Sequence, residues 1–451
     1  MQNLLNETEI KTFKKTTVKH HLDINDIEKF YLSNSSDFKI GLEYERLSLD
    51  KESLKNADYE RVSKIIEDFC SITNWNITYD ENTIIGACDS KGSSVSLEPG
   101  MQFELSLAPE KNIDEINFKA TKLISLLDKI ASSYNVIFLG YAISPLSCVD
   151  EIKILNKRRY QVMNKTLPYL ECGELCRDMM RRTAGIQVNV DYKDKTDCFN
   201  KLQFLNLIAP FMSGVCSNSP FEKGKISNFK SLRSNIWRYS GSQRCNLFYD
   251  EIFNSKLFKH QNIFKNYIDK VLDVPMIFIE RDDKYIEFRG HITFREFMKS
   301  GYCGCFATLN DYMIHQSLCF PDIRLKNYIE VRCHDSNNFD FALALCAFYK
   351  GLLKCDIKEM LEQLKFLKIK DVPLMFEKAS KNALDFDVTK NYCAWDVVEY
   401  LLNCAKNSLE NSEKHYLGEL EQKIKLRKTS SDLIIENKIQ SAHELIDYLT
   451  L

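Results

Sequence analysis

The stretch IGLEYE at residues 40–45 places an apolar side chain at every second position. Neighbouring side chains on a β-strand point to opposite faces, so the three apolar side chains lie on one face of the predicted strand. Glu43 and Glu45 lie together on the other face, about 7 Å apart. This pair of carboxylates on one strand is the starting point for predicting both the fold and the chemistry.

Three further stretches repeat the pattern of one apolar and one polar face. Their polar faces carry Gln102, Glu104 and Ser106; Gln187, Asn189 and Asp191; and Glu330 with Arg332. Such alternation is ordinary for the solvent-facing side of an antiparallel sheet. Glutamate, however, is depleted in strands, and carboxylates gathered on one face are costly unless cations neutralise them. Oxygen ligands suit Mg²⁺ or Mn²⁺, which bridge carboxylates to phosphates, so the pattern also predicts a metal-nucleotide site.

The first 355 residues mix the period of strands with the period of helices. Strand patterns occur at residues 38–50, 95–107, 136–143, 184–192, 276–280, 285–288 and 328–332. Helical patterns occur at 57–73, 113–134, 155–166 and 197–213, and again from residue 339 to the end. The sequence therefore predicts an α+β core at residues 1–355 and a helical C-terminal appendage at 356–451.

The composition excludes several classes of protein. The chain has 451 residues, with 61 Lys and Arg against 63 Asp and Glu, which gives a net charge of −2. This balance leaves no general positive field for nucleic acid, and the 44% share of hydrophobic residues excludes a disordered chain. No apolar stretch is long enough to span a bilayer. We expect a globular protein that binds small molecules, with no nucleic acid or membrane as a partner.

The cysteines and the N-terminus bear on location. The 16 cysteines are scattered and form no CxxC repeat, which favours a reducing compartment. Residues 1–14 mix acids with bases and resemble neither a secretory signal nor a transit peptide. We therefore predict a cytoplasmic location. Cys303 and Cys305 flank Gly304 in a predicted loop, where a thiol switch competes with simple packing, and packing is the favoured interpretation.

Arginines supply the positive charge that a metal-nucleotide site needs beside its acids. Arg182 precedes the strand pattern that carries Gln187, and Arg233 and Arg244 follow later in the chain. A guanidinium group binds a carboxylate or phosphate through two parallel hydrogen bonds, although a surface charge is the favoured interpretation of each arginine taken alone. Trp237 fits a core position better than a stacking platform. Three isolated histidines are predicted to be structural: His291, His315 and His334.

Taken together and in order, motifs between residues 39 and 353 resemble the plant-type glutamate-cysteine ligase family. They are GLEYE at 41–45, SLEPG at 96–100, QFELS at 102–106, AP at 108–109, FLG at 138–140, RY at 159–160, DMM at 178–180, RT at 182–183, QVN at 187–189, NSPF at 218–221, RS at 233–234, IW at 236–237, DVPM at 273–276, TFR at 293–295, TLND at 308–311 and RLK at 324–326. Each motif is weak alone, but their shared order is specific.

The resemblance implies an ATP-dependent carboxylate-amine ligase core built on a curved, mainly antiparallel sheet. This sheet forms an active-site cradle surrounded by helices, as in glutamine synthetases. The implied reaction joins the γ-carboxylate of L-glutamate to the amine of L-cysteine through a γ-glutamyl phosphate, the first step of glutathione biosynthesis. Glutamate, cysteine and ATP are the implied partners, Mg²⁺ or Mn²⁺ the implied cofactor, and the expected state is a monomer or homodimer.

The resemblance also implies roles for individual residues. The implied ligands of Mg²⁺ and the ATP phosphates are Glu43, Glu45, Glu98, Glu104, Gln187 and Glu330. Arg182 and Arg233 resemble arginines that hold glutamate, and Arg332 resembles a phosphate contact; Arg233 and Arg332 are the candidate catalytic residues. Further candidate substrate-binding residues are Thr183, Trp237 and Arg244.

This sequence departs from the family pattern at several positions near the implied site. Met101 replaces a glycine, Ala184-Gly185 replace a Cys-Thr pair, and Cys333-His334-Asp335 replace a turn of small residues. Two alternatives therefore stay open. One is a ligase of the same fold that joins glutamate or another acid to a different amine, and the other is a non-catalytic binding homologue. The retained acids and arginines favour an enzyme.

Overall fold

The structure is a computed structural model that describes residues 22–32, 38–245, 262–282 and 284–450. The predicted absence of a targeting segment at residues 1–14 lies outside these ranges. The strands are β1 Ile40–Asp50, β2 Asn76–Asp80, β3 Thr83–Cys88, β4 Ser94–Leu97, β5 Phe103–Ser106, β6 Val136–Leu139, β7 Gly185–Val190, β8 Phe221–Glu222, β9 Lys225–Ile226, β10 Phe278–Arg281, β11 Lys284–Glu287, β12 Ile323–Leu325 and β13 Ile329–Asp335.

Helices surround the strands and make up the C-terminal region. They are α1 Ile24–Phe30, α2 Tyr59–Thr73, α3 Ile113–Ser133, α4 Arg158–Thr166, α5 Cys176–Arg182, α6 Lys195–Val215, α7 Leu232–Arg238, α8 Ser242–Cys245, α9 Ile263–Leu272, α10 Phe294–Ser300, α11 Leu309–Ser317, α12 Phe339–Leu352, α13 Ile357–Gln363, α14 Val372–Asn382, α15 Ala394–Ser408, α16 Gly418–Leu426, α17 Ser430–Glu436 and α18 Ala442–Thr450. Among the described residues, none of these helices is long and apolar enough to cross a membrane.

Nine of the strands form one antiparallel sheet in the order β12-β13-β7-β1-β5-β4-β3-β2, with β6 beside the second half of β1. Strand β1 lies at the centre of the sheet, and its 11 residues are enough to pair with three neighbouring strands. Its first half pairs with β5 and β7, and residues 47–50 pair with β6. The predicted α+β fold with a mainly antiparallel sheet and a helical C-terminal region is confirmed.

The apolar face of this sheet packs against buried helices. Twelve of the 14 residues of α12 are buried, as expected for a helix that is apolar on every side. It packs against β1 and β7, and the Phe339 ring lies 6.0 Å from the ring of Tyr44. Because α12 covers the face that carries Leu42 and Tyr44, the opposite face is left for the polar side chains of β1.

The C-terminal helices are fastened to the core by buried contacts. Helix α15 packs along α12, and the Nζ atom of Lys350 lies 2.6 Å from a carboxylate oxygen of Glu413. Each side chain of this ion pair is only 4% exposed, and Glu413 also accepts a hydrogen bond of 2.9 Å from the main-chain nitrogen of Ile113. The division between a core at 1–355 and an appendage at 356–451 stays a prediction.

Two parts of the sheet differ from the sequence-based expectation. The strand pattern at 95–107 forms two strands, β4 and β5, because a turn that contains Met101 with a φ of 65° reverses the chain between them. The hairpin of β2 and β3 was not predicted. Strand β2 has no buried residue, so it lacks the apolar alternation by which strands are recognised in a sequence.

Candidate active site

The four strands with acid- or amide-bearing faces are neighbours in the sheet. Glu45 on β1 lies opposite Glu104 on β5, and Glu43 lies opposite Gln187 on β7. Glu330 on β13 lies opposite Asn189 on β7. Directly paired residues in a sheet point to the same face, so the predicted convergence of these polar side chains on one face is confirmed.

A cavity of about 250 Å³ lies over this polar face. Eight of the predicted site residues line it: Glu43, Glu45, Glu98, Glu104, Thr183, Gln187, Trp237 and Arg332. Four predicted site residues lie outside its lining: Arg182, Arg233, Arg244 and Glu330. Five cationic or aromatic residues with no predicted role also line it: Lys157, Arg159, Tyr160, Phe320 and Arg324.

One half of the cavity is acidic. Burial and repulsion from neighbouring carboxylates raise the pKa of Glu43 to about 7, of Glu45 to about 8 and of Glu104 to about 7. Glu98 contributes to this repulsion at both Glu45 and Glu104. These carboxylates therefore lack enough nearby positive charge to ionise easily, and a bound cation would relieve their repulsion.

Hydrogen bonds from neighbouring strands fix the acidic side chains. Glu45 accepts bonds of 2.6 Å from the main-chain nitrogen of Gly185 and 3.1 Å from the Nε2 atom of Gln187. Glu43 accepts a bond of 2.8 Å from the Nδ2 atom of Asn189. Glu104 accepts bonds from two serine hydroxyls on β4 and β5. The donors are neutral, so they orient the carboxylates without compensating their charge.

The other half of the cavity is basic and is organised by Glu330. This fully buried carboxylate lies 2.5 Å from Arg324, 2.9 Å from Lys326 and 3.0 Å from Arg332. Burial alone would raise the pKa of Glu330, but these three cations hold it well below its usual range. Both carboxylate oxygens of Glu330 are thus engaged by cations, and this geometry favours a role in holding the arginines over the predicted role in holding metal.

Two further cations, from the start of α4, line the cavity close to Glu98. Arg159 donates a bond of 3.0 Å to the main-chain oxygen of Ser317, and the Nζ atom of Lys157 lies 4.6 Å from the centre of the Tyr160 ring. Burial lowers the pKa of both cations. The sequence contained one signal for them, because the RY motif at 159–160 belongs to the series that carries the family resemblance.

Arg233 lies at the edge of the site and is positioned by a buried network. Its main-chain nitrogen donates a bond of 3.2 Å to the hydroxyl of Ser219, and that hydroxyl donates a bond of 2.7 Å to Asp335. Asp335 is fully buried and also accepts from the hydroxyl of Ser231 at 2.8 Å, which caps α7. Asp335 therefore fixes the start of the helix that carries Arg233.

The guanidinium groups of Arg233 and Arg332 share one aromatic platform. Their Cζ atoms lie 5.4 Å and 5.8 Å from the centre of the Trp237 ring. The Nε atoms of both arginines and the Nε1 atom of Trp237 are buried without a hydrogen-bond partner in the described parts of the chain. Trp237 therefore lies at the cavity wall and supports two cations, of which Arg332 lines the cavity, whereas the residue pattern alone placed it in the core.

The geometry does not support two of the predicted substrate contacts. Arg182 lies 2.7 Å from Asp178 and 2.6 Å from Glu222, so neighbouring carboxylates already neutralise its charge. Arg244 is fully buried and donates to main-chain carbonyls, with a bond of 2.8 Å to that of Leu318. Neither side chain lines the cavity, and their roles remain predictions that this arrangement does not favour.

The prediction that the isolated histidines are structural agrees with the geometry at two positions. His315 contacts the main-chain oxygen of Val271 at 2.9 Å, and His334 lies between the carbonyl of Ile186 and the hydroxyl of Tyr349. Burial lowers the pKa of both imidazoles to about 3, so both are neutral at physiological pH. They act as packed, hydrogen-bonded core residues.

The donor set of the acidic half fits a hard divalent cation. Within the described ranges, no three His, Cys, Asp or Glu side chains already converge closely enough to hold a metal ion. The four carboxylates of the acidic half nevertheless line one cavity, and three of them have raised pKa values. Carboxylate oxygens are the ligands that Mg²⁺ prefers, and repulsion keeps such groups apart until a cation binds.

The fold and the cavity, whose lining combines clustered acids with arginines, together indicate an ATP-dependent carboxylate-amine ligase. The family model for glutamate-cysteine ligase family 2 (GCS2) matches residues 39–426 of this chain. The chain belongs to this family and is a ligase.

Named relatives extend this match over most of the chain. Chloroplastic glutamate-cysteine ligase B of Oryza sativa subsp. japonica is 30% identical over 419 residues, which cover 91% of this chain and 80% of the relative. The chloroplastic glutamate-cysteine ligase of Medicago truncatula is 30% identical over 411 residues, covering 88% and 78%.

A solved structure shares the fold. The glutamate-cysteine ligase of Francisella tularensis in complex with AMP superposes with a TM-score of 0.57 over 92% of this chain and 88% of that chain. Its sequence identity is 14%, so this likeness concerns the fold alone.

The comparison also corrects the predicted location. The cytoplasmic location argued from the cysteines and from residues 1–14 is wrong by this comparison, because the relatives above are chloroplastic enzymes. Unpaired cysteines do not distinguish the two compartments. All 16 cysteines are free, and the prediction that most of them pack inside agrees with the nine that are buried.

Proposed function

We propose that this protein joins the γ-carboxylate of L-glutamate to the amine of L-cysteine with the hydrolysis of ATP to ADP and phosphate. The reaction has two steps. A glutamate γ-carboxylate oxygen attacks the γ-phosphorus of ATP, which forms γ-glutamyl phosphate and releases ADP. The cysteine amine then attacks the acyl carbon, phosphate leaves, and an amide bond forms with loss of one amine proton.

The basic half of the cavity is proposed to bind the transferred phosphoryl group. Arg332 is held between Glu330 and Gln187, and it lies on β13 in the same sheet as the acidic strands. A guanidinium group in this place binds phosphate oxygens bidentately and stabilises the charge that develops during transfer. Lys157, Arg159 and Arg324 add positive charge along the same wall, which suits a triphosphate chain.

The acidic half is proposed to hold Mg²⁺, with Mn²⁺ as a substitute. Glu43, Glu45, Glu98 and Glu104 would be its ligands, and Gln187 would orient Glu45 through their hydrogen bond. When bound, the metal would neutralise the phosphates and polarise the γ-phosphoryl group. Glu330 is assigned to the arginines because its oxygens already contact three cations.

Glutamate is proposed to bind at the junction of the two halves. Arg233 projects from α7 over Trp237 and lies beside Glu45 and Gly185. Its Nε atom is buried without a partner among the described residues, so an incoming carboxylate would meet an unsatisfied donor. Thr183 lines the same cavity and is the second proposed contact.

The observation that carries the proposal is the pairing of Glu45 with Glu104 across adjacent strands in a cavity that also contains Arg332. The test is ADP release from Mg-ATP with glutamate and a panel of amines: cysteine, 2-aminobutyrate and glycine. We expect ADP release with glutamate and cysteine, with γ-glutamylcysteine as the product by mass. ADP release with another amine alone would identify a ligase of different specificity, and no ADP with any pair would refute the catalytic role.

A further inference from the structure

A second cavity, of about 500 Å³, lies where the C-terminal end of α4 meets the start of α5 and the segment after β11. Its lining includes Lys165 and Thr166 from α4, Arg177 from α5, and Arg289 beyond β11. None of its lining residues lines the active-site cavity. Its volume is in the range of pockets that bind small molecules.

The charge in this second cavity is not balanced. Lys165, Arg177 and Arg289 contribute three positive charges, and Glu287 contributes one negative charge. Glu287 lies 3.1 Å from Arg289 and neutralises it. Among the described residues, the side chains of Lys165 and Arg177 form neither a hydrogen bond nor an ion pair. Two cations that face one cavity without a counter-charge favour the binding of an anion.

Two buried polar atoms at the cavity wall also lack partners. The residue Thr166 is only 4% exposed, and its Oγ1 atom is buried without a hydrogen bond in the described parts of the chain. The Nε atom of Arg177 is likewise buried without a hydrogen-bond partner among the described residues. Buried polar groups are almost always satisfied, so a donor pair of this kind at a cavity indicates an acceptor that belongs to a ligand.

Arg177 is held in this arrangement despite an electrostatic cost. It lies close enough to Arg181 for the repulsion to contribute, after burial, to lowering the pKa of that second arginine. Arg181 is anchored elsewhere, because it donates to Asn164 at 2.7 Å and to two main-chain carbonyls. Arg177, in contrast, has no protein acceptor in the described chain. A ligand anion bound to Arg177 would relieve the repulsion between the two arginines.

We propose that this second cavity binds a phosphate-bearing small molecule. A phosphate group has enough acceptor oxygens for the guanidinium of Arg177, the ammonium of Lys165 and the hydroxyl of Thr166 together. The remaining volume leaves room for an organic part of the ligand. The ring of Tyr169, which is 82% exposed and lines the cavity, offers that part an apolar surface.

The proposal is tested by calorimetric titration of the whole protein with phenyl phosphate and with inorganic phosphate, in a buffer free of phosphate. Phenol serves as the uncharged control. We expect phenyl phosphate to bind more tightly than inorganic phosphate, and phenol not to bind. Arg177→Gln and Lys165→Gln should each weaken phenyl phosphate binding at least fivefold. Neither change should unfold the protein, since neither side chain has a partner in the described chain.

Two control variants distinguish this cavity from other sources of binding. Lys122→Gln removes the same charge from an exposed position on α3 and should leave the affinity unchanged. Arg332→Gln alters the active-site cavity and should leave the binding of phenyl phosphate at the second cavity in place. The proposal is overturned if Arg177→Gln and Lys165→Gln bind as the unmodified protein does, if Lys122→Gln weakens binding equally, or if Arg332→Gln alone abolishes all binding.

Discussion

Gly185 lies so close to Arg233 that a Cβ atom at position 185 would stand 2.5 Å from the Nη2 atom of that guanidinium group. The same Cβ atom would stand 2.9 Å from the main-chain oxygen of His334. Position 185 is one where the sequence departs from the family pattern, which has a threonine. The absence of a side chain at position 185 therefore leaves room for the guanidinium group of Arg233 beside β7, at the junction of the acidic and basic halves.

The first prediction is that Gly185→Ala weakens glutamate binding, because the added methyl group must displace the guanidinium of Arg233. We expect the KM for glutamate to rise about fivefold or more, equivalent to about 1 kcal/mol, with the KM for ATP changed less than twofold. Steady-state kinetics with each substrate varied separately measures this. Gly418→Ala, at a position with open space, is the control and should leave both constants unchanged. Equal changes in both KM values would mean that Arg233 does not act on glutamate.

The second prediction concerns Asp335, which we expect to act as a positioning residue for Arg233. Asp335→Asn replaces an acceptor with a donor, so the bonds from Ser219, Ser231 and the main chain of Asn218 cannot all persist. The KM for glutamate should rise about tenfold, while the KM for ATP changes less than twofold. Asp340→Asn, on the exposed side of α12, provides the matched control. A loss of stability with unchanged KM values would assign Asp335 to the fold alone.

The sequence was sufficient for the residues whose placement follows from local periodicity. Alternation along β1 placed Glu43 and Glu45 on one face, and it did the same for Glu104 on β5 and Gln187 on β7. Which strands are neighbours was not determined by periodicity, and it entered through the resemblance to a family. Residues that reach the cavity from helices were harder to predict, because their approach to the sheet depends on long-range packing.

Lys157 and Arg159 show this limit. Both stand at the start of α4, and apart from the RY motif at 159–160 nothing in their neighbours indicates that this helix begins at the cavity. Glu330 shows a different one, since its position on the polar face was predicted but its three cationic partners were not. Arg324 and Lys326 lie on or beside the three-residue strand β12, which is too short to be recognised by alternation.

The third prediction tests the proposed metal site through Glu45. Above pH 8, where Glu45 is ionised, Glu45→Gln removes one charge from the repelling carboxylates, so the metal-free protein should become slightly more stable, by about 1 kcal/mol or less. Turnover of ATP should fall at least 100-fold, and the increase in melting temperature caused by Mg²⁺ should shrink. Thermal melts with and without Mg²⁺ measure the second effect. Glu52→Gln, at an exposed position, is the control; turnover in Glu45→Gln equal to that of this control would remove Glu45 from the site.

The fourth prediction concerns pH. Burial and mutual repulsion raise the pKa values of Glu43, Glu45 and Glu104 from 4.5 to about 7 or 8 in the folded protein. Their contribution to stability is therefore complete below about pH 4.5 and is lost as the pH rises through 7 to 8. Mg²⁺ requires the ionised carboxylates, so its binding should release protons near neutral pH.

The increase in melting temperature caused by Mg²⁺ should accordingly be larger at pH 8.5 than at pH 6. Titration calorimetry in two buffers of different ionisation enthalpy would count the protons released. A stabilisation by Mg²⁺ that is independent of pH, with no proton release, would contradict the assignment of these three glutamates as its ligands.

The fifth prediction concerns the ion pair that joins the C-terminal helices to the core. Lys350 and Glu413 are each 4% exposed, so removing one partner leaves an uncompensated buried charge. Lys350→Met should lower the free energy of unfolding by about 3 kcal/mol or more, as measured by the shift in the urea midpoint.

The double variant Lys350→Met, Glu413→Gln should recover much of this loss, because a glutamine oxygen still accepts from the main-chain nitrogen of Ile113. The exposed pair of Lys365 and Glu362 is the matched control, and Lys365→Met should leave the urea midpoint essentially unchanged because solvent screens that pair. Equal, small losses at both positions would show that the C-terminal helices are held by apolar packing and not by this charge pair.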